Sequence, residues 1–201
     1  MYKTLRALLA ALCVPLFAIL SAGCAPSPPA FKNTDVTGSD CCKDFRLSDH
    51  RGQVRTLADF RGKVVVMFFG YTQCPDICPT ALGLMKDLQA RLGAVPPAPT
   101  FQVVFISIDP ARDTHALLGN YLAAFDPAFV GITGDDTELA PLTKDLGVFF
   151  QRNDTADKKN YTVDHSAAIY LINPKGQLVA LFSPPQAADK MAADYRRITA
   201  Q

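Results

Sequence analysis

No basic run and no excess of charge of either sign occurs in this chain. Its 201 residues include 20 Lys and Arg and 19 Asp and Glu, a formal net charge of +1. A nucleic-acid-binding surface usually shows a basic excess, so we expect no nucleic-acid partner. The 12 Gly and 15 Pro are near average usage, which excludes a collagen-like or Pro-rich chain, and no repeat occurs at solenoid or propeller periods. A hydrophobic share of 49% is sufficient for a folded core.

The first 24 residues have the pattern of an export signal. Lys3 and Arg6 precede an uncharged apolar run over 7–20, which is shorter than the roughly 20 residues that a membrane-spanning helix needs. Small residues follow, and then Cys24, in an order that resembles a bacterial lipobox. We therefore predict a lipoprotein-type signal peptide over 1–23 and a lipidated Cys24. An uncleaved membrane anchor and a cleaved soluble protein are the alternatives.

The segment after the signal differs in composition from the rest of the chain. Residues 25–40 are rich in Pro, Ser, Thr and Asp, which is typical of a linker. We assign 24–42 to a flexible tether and 43–201 to the folded domain. The expected location is the cell envelope, with the domain anchored by lipid in the periplasm or on the outer face of the cytoplasmic membrane.

Strand and helix patterns alternate along the domain and predict an α/β fold with a mixed central sheet flanked by helices. An N-terminal β-hairpin is predicted over 45–57. The apolar runs 63–69 and 101–108 have the character of buried central strands, and a helix is predicted from Pro79 to Leu92. Further helices are predicted over 114–125, 136–146 and 186–198, strands over 130–132, 166–172 and 177–182, and an exposed loop over 151–160. A cysteine pair between the first buried strand and its helix is the thioredoxin arrangement.

Six cysteines occur, and their spacing argues against structural disulfides. Cys13 lies in the signal and Cys24 is the predicted lipid site. A bridge between the neighbours Cys41 and Cys42 would be strained. Three roles remain open for these two cysteines: auxiliary ligands, a redox pair or incidental thiols. The remaining pair, at positions 74 and 78, would close a tiny loop of little stabilising value. Such a close pair suits redox exchange or metal ligation better.

Cys74 and Cys78 have the spacing of neighbours on one helix face. Their Cβ atoms would lie about 5–6 Å apart, so both thiolates can reach one metal ion or approach into a disulfide. Soft thiolates favour Cu(I), zinc or iron–sulfur, and two thiolates need a further ligand. His165 precedes a predicted strand and is the candidate, because an S₂N set suits copper; the alternative is a capped surface histidine. His50 is interpreted as a solvated turn residue and His115 as an exposed helix residue.

Asp109 ends the predicted strand 101–108 at the same sheet edge as the cysteines. It can hydrogen-bond a ligand, orient the cysteine-bearing backbone or contact a partner; the alternatives are a helix cap or a turn residue before Pro110. Asp76, between the cysteines, is interpreted as a cap for the following helix.

Three segments of the chain resemble the SCO/SenC family of copper-binding, thioredoxin-fold assembly factors for cytochrome c oxidase. They are KVVVMFFGYTQCPDICP (63–79), FISIDPARDT (105–114) and YTVDHSAAIYLINPKG (161–176). The resemblance implies that Cys74, Cys78 and His165 bind one copper per chain, as Cu(I) or Cu(II). In the oxidised copper-free form the two cysteines are expected to form a disulfide. Asp109 becomes a residue that supports the ligands or contacts a partner.

Two functions are compatible with this resemblance. The first is a metallochaperone, without turnover, that delivers copper to the CuA centre of cytochrome c oxidase subunit II, with another periplasmic copper carrier as a further partner. The second is a thiol–disulfide reductase that keeps the recipient's CuA cysteines reduced. A peroxiredoxin-like peroxidase is disfavoured, because neither Cys74 nor Cys78 has a Pro-x-x-x-Thr-x-x-Cys setting.

Overall fold

The computed structural model describes residues 30–41, 44–93, 100–156 and 160–199. The signal peptide, Cys24 and Cys42 therefore lie outside the described residues. Strands and helices alternate along most of this chain. The strands are β1 (Thr34–Asp35), β2 (Leu47–Asp49), β3 (Val54–Arg55), β4 (Val64–Gly70), β5 (Phe101–Ser107), β6 (Val130–Thr133), β7 (Phe150–Asn153), β8 (Thr162–His165), β9 (Ile169–Ile172) and β10 (Leu178–Phe182). The helices are α1 (Ile77–Leu92), α2 (His115–Ala123), α3 (Asp136–Asp145) and α4 (Ala188–Thr199), with a 3₁₀ turn at Leu57–Phe60.

Eight of the strands form one mixed sheet in the order β1-β10-β9-β4-β5-β6-β2-β3. The central strands β4, β5 and β6 are parallel, and the remaining pairings are antiparallel. The predicted α/β fold with a mixed sheet and flanking helices is confirmed. The predicted N-terminal hairpin is β2–β3, in which Leu47 pairs with Arg55.

β4 lies at the centre of the sheet, and all seven of its residues are buried. β4 has a paired strand on each side and is covered on both faces, so its sequence is continuously apolar. In register, Gly70 at its end pairs with Ser107 at the end of β5. A Cβ atom at Gly70 would lie 2.6 Å from Cys78 Sγ, so only glycine permits this approach of helix to strand. The loops after β4 and β5 therefore leave the same edge of the sheet.

α1 begins at Ile77, two residues before the predicted start at Pro79. Pro79 is tolerated there because the first N–H groups of a helix have no intrahelical acceptor. Cys78 is thus inside the first turn and belongs to the buried face of the helix. That face also carries Ala81, Leu82, Met85 and Leu88.

Part of the predicted tether belongs to the folded domain, which is a correction of its boundary. β1 pairs with β10, Thr34 opposite Leu181. The carboxylate of Asp194 on α4, 1% exposed, accepts hydrogen bonds from the backbone N–H of Lys32 at 2.7 Å and of Asn33 at 3.2 Å. The segment is polar and its strand spans two residues, so periodicity gives no strand signal.

The predicted exposed loop 151–160 is also corrected in part. Residues 150–153 form β7, which pairs with β8 as a separate two-stranded sheet, Phe150 opposite His165. The predicted strand 166–172 begins only at Ile169. Among the described residues, no helix combines the length and apolar character that crossing a bilayer requires.

The contacts of Asp194 predict a measurable role for the N-terminal segment. Asp194→Ala removes an acceptor of three hydrogen bonds from Lys32 and Asn33. We expect the free energy of unfolding, measured in urea, to fall by about 1–3 kcal/mol, because the donors lose their partner. In the control Asp87→Ala, an exposed site on α1, we expect a change within about 0.5 kcal/mol. Equal losses in both variants would contradict a specific contribution of residues 32 and 33.

Candidate metal centre

Cys74, Cys78 and His165 meet at the carboxyl end of β4. Cys74 lies in the loop after β4, Cys78 in the first turn of α1, and His165 ends β8. One ligand atom from each lies within 4.8 Å of the other two. Cys78 Sγ is 3.4 Å from His165 Nε2. Both cysteines are free thiols, and both are buried, with exposed fractions of 8% for Cys74 and 0% for Cys78.

The ring of His165 is oriented by the backbone carbonyl of the next residue and by aromatic neighbours. Its Nδ1 lies 3.0 Å from the carbonyl oxygen of Ser166. Because a carbonyl only accepts, Nδ1 carries a proton in this arrangement, and Nε2 is the ring nitrogen that faces the sulfur atoms. Phe68 and Tyr71 pack edge-on to the ring, each with centroids 6.0 Å away. This is the arrangement of a histidine prepared to ligate through Nε2.

The two thiols have unequal acidities. The hydrogen bond donated by the Cys78 thiol lowers the pKa of Cys74 to about 4, although burial opposes the shift. A hydrogen bond with His165 and the backbone N–H of Cys78, 3.4 Å from Cys74 Sγ, act in the same direction as the Cys78 thiol. The hydrogen bond to Cys74 and the burial of Cys78 raise the pKa of the Cys78 thiol above its usual range. Cys74 is therefore the first of the two thiols to lose its proton as the pH rises.

Asp109 is not one of the three potential ligands. Its carboxylate, 4% exposed, accepts hydrogen bonds from Arg112 Nε and from the hydroxyl of Tyr161, both at 2.5 Å. The cap of α2 is Thr114, whose side chain accepts from the N–H of Leu117. These contacts favour an orienting role for Asp109 over helix capping.

Two charged residues that sequence reasoning missed complete the loop after β5. Arg112 donates to the Tyr161 carbonyl at 2.9 Å and to Gln73 Oε1 at 3.1 Å. Asp113 accepts from the hydroxyls of Thr72 and Ser107, both at 2.6 Å, and burial raises the pKa of its carboxyl. The signal was the cluster Asp-Pro-Ala-Arg-Asp directly after a buried strand, where charged groups need partners.

The other histidines lie away from the centre. His115 is exposed, and its Nε2 is 2.8 Å from Ser48 Oγ. His50 was interpreted as a solvated turn residue, but its Nδ1 accepts a hydrogen bond from the N–H of Gly131 at 3.1 Å. It thus joins the N-terminal hairpin to β6, a contact between residues 81 positions apart that sequence proximity does not reveal.

Two further sequence candidates have local contacts. Asp76 precedes α1 as its N-cap residue but makes no capping hydrogen bond with its side chain; its carboxylate accepts from Thr80 Oγ1 at 3.4 Å. Cys41 is half-buried, and its thiol donates to Ser39 Oγ at 3.0 Å. Neither residue belongs to the group of three potential ligands.

A groove of about 440 Å³ opens beside the centre. The loop carrying Cys74 forms one wall and β8 the other. Its lining residues are Tyr71, Cys74, Pro75, Asp76, Ile77, Thr162, Val163, Asp164 and His165. The two potential ligands Cys74 and His165 therefore face a space that is open to the surface.

The fold and the centre define a thioredoxin-like protein with a CxxxC pair and a distant histidine. The sequence profile of SCO1/SenC matches residues 34–200, and the chain belongs to this family. The mitochondrial SCO2 homolog of Bos taurus is 40% identical over 154 residues, 77% of this chain and 58% of that protein. The SCO2-like protein of Rickettsia felis is 37% identical over 145 residues, 69% of this chain and 67% of that protein.

A solved relative agrees in fold. The structure of Bradyrhizobium japonicum ScoI with copper bound superposes with a TM-score of 0.70 at 37% identity, covering 79% of this chain and 99% of that one. The chain spans less than two thirds of the length of the bovine relative. The predicted family and thioredoxin-like fold are confirmed.

The unequal thiols predict selective alkylation of the reduced chain. We expect iodoacetamide to modify Cys74 before Cys78, because Cys74 carries the thiolate and is the more exposed of the two. The alkylation rate at Cys74 should change by less than about twofold between pH 5.5 and 7. The alkylation rate of an ordinary thiol such as glutathione falls about tenfold for each unit by which the pH is lowered. Peptide mass spectrometry over time distinguishes the sites. Earlier modification of Cys78 would contradict the assignment.

Proposed function

We propose that this protein is a copper metallochaperone that holds one copper ion through Cys74, Cys78 and His165. The observation that carries the proposal is the convergence of two sulfur atoms and one imidazole nitrogen within 4.8 Å. Membership of the SCO1/SenC family and the likeness to a copper-bound relative support the same conclusion. Copper is the cargo in this account, and a chaperone has no turnover.

The donor set suits copper in chemical terms. Thiolate and imidazole are soft and intermediate ligands, and together they favour Cu(I) or Cu(II) over hard cations. Three ligands leave a tetrahedral zinc site incomplete. The residues around the donors keep them in place: the carbonyl of Ser166 holds His165 Nδ1, and the N–H of Cys78 contacts the sulfur of Cys74.

The proposed recipient is the CuA centre of cytochrome c oxidase subunit II, with a periplasmic copper carrier as the proposed donor. The resemblance of residues 63–79, 105–114 and 161–176 to the SCO/SenC family supports this assignment. The signal pattern over 1–23, with Cys24 as the lipidated residue, supports a membrane-tethered location in the cell envelope. The groove beside Cys74 and His165 provides access for a partner.

A second candidate function rests on the unequal thiols. A thiolate at Cys74 beside a buried thiol at Cys78 is the arrangement of an attacking and a resolving cysteine in thiol–disulfide exchange. In this role the protein reduces the CuA cysteines of the recipient, and its own pair becomes the Cys74–Cys78 disulfide. Both functions can coexist, because copper binds the dithiol and not the disulfide.

A copper titration tests the chaperone. It uses the full chain in detergent with four cysteines changed to serine, Cys13, Cys24, Cys41 and Cys42, so that only the candidate pair supplies thiolate. We expect one Cu(II) per chain and a thiolate-to-copper charge-transfer band under anaerobic conditions. His165→Ala should weaken binding at least about tenfold, since it removes the nitrogen ligand, whereas His115→Ala is the matched control.

The outcomes are distinct. Equal copper affinity in His165→Ala and the parent chain would contradict the three-ligand set. The absence of tight copper binding by a folded and reduced parent chain would contradict the chaperone and favour the reductase.

A thiol-exchange assay also distinguishes the chaperone function from the reductase function. We expect His165→Ala to retain reduction of a mixed-disulfide substrate, because exchange needs only the two cysteines, and Cys74→Ser to abolish it. The rate of thiolate release from the substrate is the measurement. Loss of exchange in His165→Ala, with the fold intact by circular dichroism, would show that the histidine serves the redox step as well.

A further inference from the structure

His165 lies on a part of the chain that the main sheet does not hold. β8 pairs only with β7, in a two-stranded sheet separate from the eight-stranded one, within the residues that the structure describes. The thiols of Cys74 and Cys78, by contrast, follow the central strand β4. The position of the imidazole relative to the sulfur atoms therefore depends on contacts other than a strand ladder.

Arg112 connects the two parts. Its Nε donates to Asp109 at 2.5 Å, within its own loop. Its Nη1 donates both to the carbonyl of Tyr161, where β8 begins, and to Gln73 Oε1, next to Cys74. A single planar guanidinium thus joins the cysteine loop to the strand that carries His165, and five donors in fixed directions suit this task.

Ring contacts strengthen the same connection. The guanidinium carbon of Arg112 lies 3.4 Å from the ring centroid of Tyr161 and 5.6 Å from that of Tyr71. Tyr161 donates its hydroxyl to Asp109, and the hydroxyl of Tyr71 accepts from the N–H of Val163 in β8. Each tyrosine therefore contacts the guanidinium of Arg112 and also connects to β8, Tyr71 through Val163 and Tyr161 through the chain itself.

The guanidinium is also placed at a cost. The side chain of Arg112 is only 12% exposed, and its Nη2 is buried with no hydrogen-bond partner among the described residues. A buried polar group without a partner is unfavourable, and such groups are uncommon unless another role retains them. Arg112 differs in this respect from a surface ion pair.

We propose that Arg112 is a positioning residue that sets His165 Nε2 against the two sulfur atoms. The proposal rests on the proposed function, in which these three residues hold copper. Arg112 acts through His165 and not as a ligand. Replacing it leaves both sulfur donors in place and loosens the nitrogen donor.

The test is a double-mutant cycle in copper affinity, using the full chain with the same four serine replacements. Arg112→Gln should weaken Cu(II) binding about 10–100-fold, the usual effect of removing a group that orients a ligand. It should also reduce the nitrogen coupling in the electron paramagnetic resonance spectrum. In a His165→Ala background, the same change should alter affinity by less than about twofold, because the residue through which Arg112 acts is gone.

Further variants control for charge and for folding. Arg112→Lys keeps the charge but cannot make the forked and stacked contacts, so it should resemble Arg112→Gln. Arg91→Gln, an exposed arginine on α1, is the matched control and should leave affinity unchanged. Tyr161→Phe removes only the hydroxyl that donates a hydrogen bond to Asp109. It should weaken copper binding, and this loss should also be non-additive with His165→Ala. The variant keeps the test available if Arg112→Gln does not fold.

Three outcomes decide the matter. Non-additivity of Arg112 and His165, with normal thermal unfolding, supports the proposal. Additive losses would overturn it, because Arg112 would then act on the cysteines or on the fold. If the parent chain itself binds no copper, the proposed function fails, and nitrogen coupling is absent from every variant including the parent.

Discussion

The candidate centre depends on holding the two-stranded arm β7–β8 against the eight-stranded sheet, and within the described part of the chain no strand ladder joins the two. The sulfur atoms belong to the rigid side of this junction, because Cys74 and Cys78 follow the fully buried β4 and the start of α1. The imidazole belongs to the arm, β7 and β8. Side-chain contacts at Tyr71, Tyr161 and Arg112 bridge the two, so the geometry of the centre is a property of those side chains more than of the backbone.

Buried carboxylates make that bridge rigid. Asp109 and Asp113 are 4% and 1% exposed, and polar groups at such depth need hydrogen-bond partners. Asp109 has a guanidinium and a phenol, whereas Asp113 has two hydroxyls and the N–H of Thr72. Each carboxylate therefore ties the loop after β5 to a neighbouring segment, Asp113 to the cysteine loop and Asp109 to the start of β8. The parallel pairing of β4 and β5 is what brings these loops to one edge.

Sequence patterns predicted the parts of this molecule whose environment is uniform. The run over 64–69 is apolar because both faces of β4 are covered. Leu82, Met85 and Leu88 recur at three- and four-residue steps because α1 buries one face. His165 was found from residue type and position before a strand. Arg112 was missed because its contacts reach residues 39 and 49 positions away, and the charged cluster in its loop does not show which partners it has. β1 and β7 were missed because each is short and polar, and pairing alone defines them.

The unequal thiols make the proposed metal binding and the proposed thiol exchange compatible in one site. Exchange requires one sulfur that is nucleophilic and one that stays protonated until it resolves the mixed disulfide, and Cys74 and Cys78 differ in this sense. Metal binding requires both sulfurs as thiolates, and a cation supplies the charge that makes the second deprotonation favourable. The histidine distinguishes the two uses, since it is a ligand in the proposed metal site, whereas thiol exchange makes and breaks only bonds between sulfur atoms. For the proposed chaperone, the attachment of the arm β7–β8 therefore sets the position of the nitrogen ligand, whereas the proposed exchange reaction takes place at the two sulfur atoms on the other side of the junction.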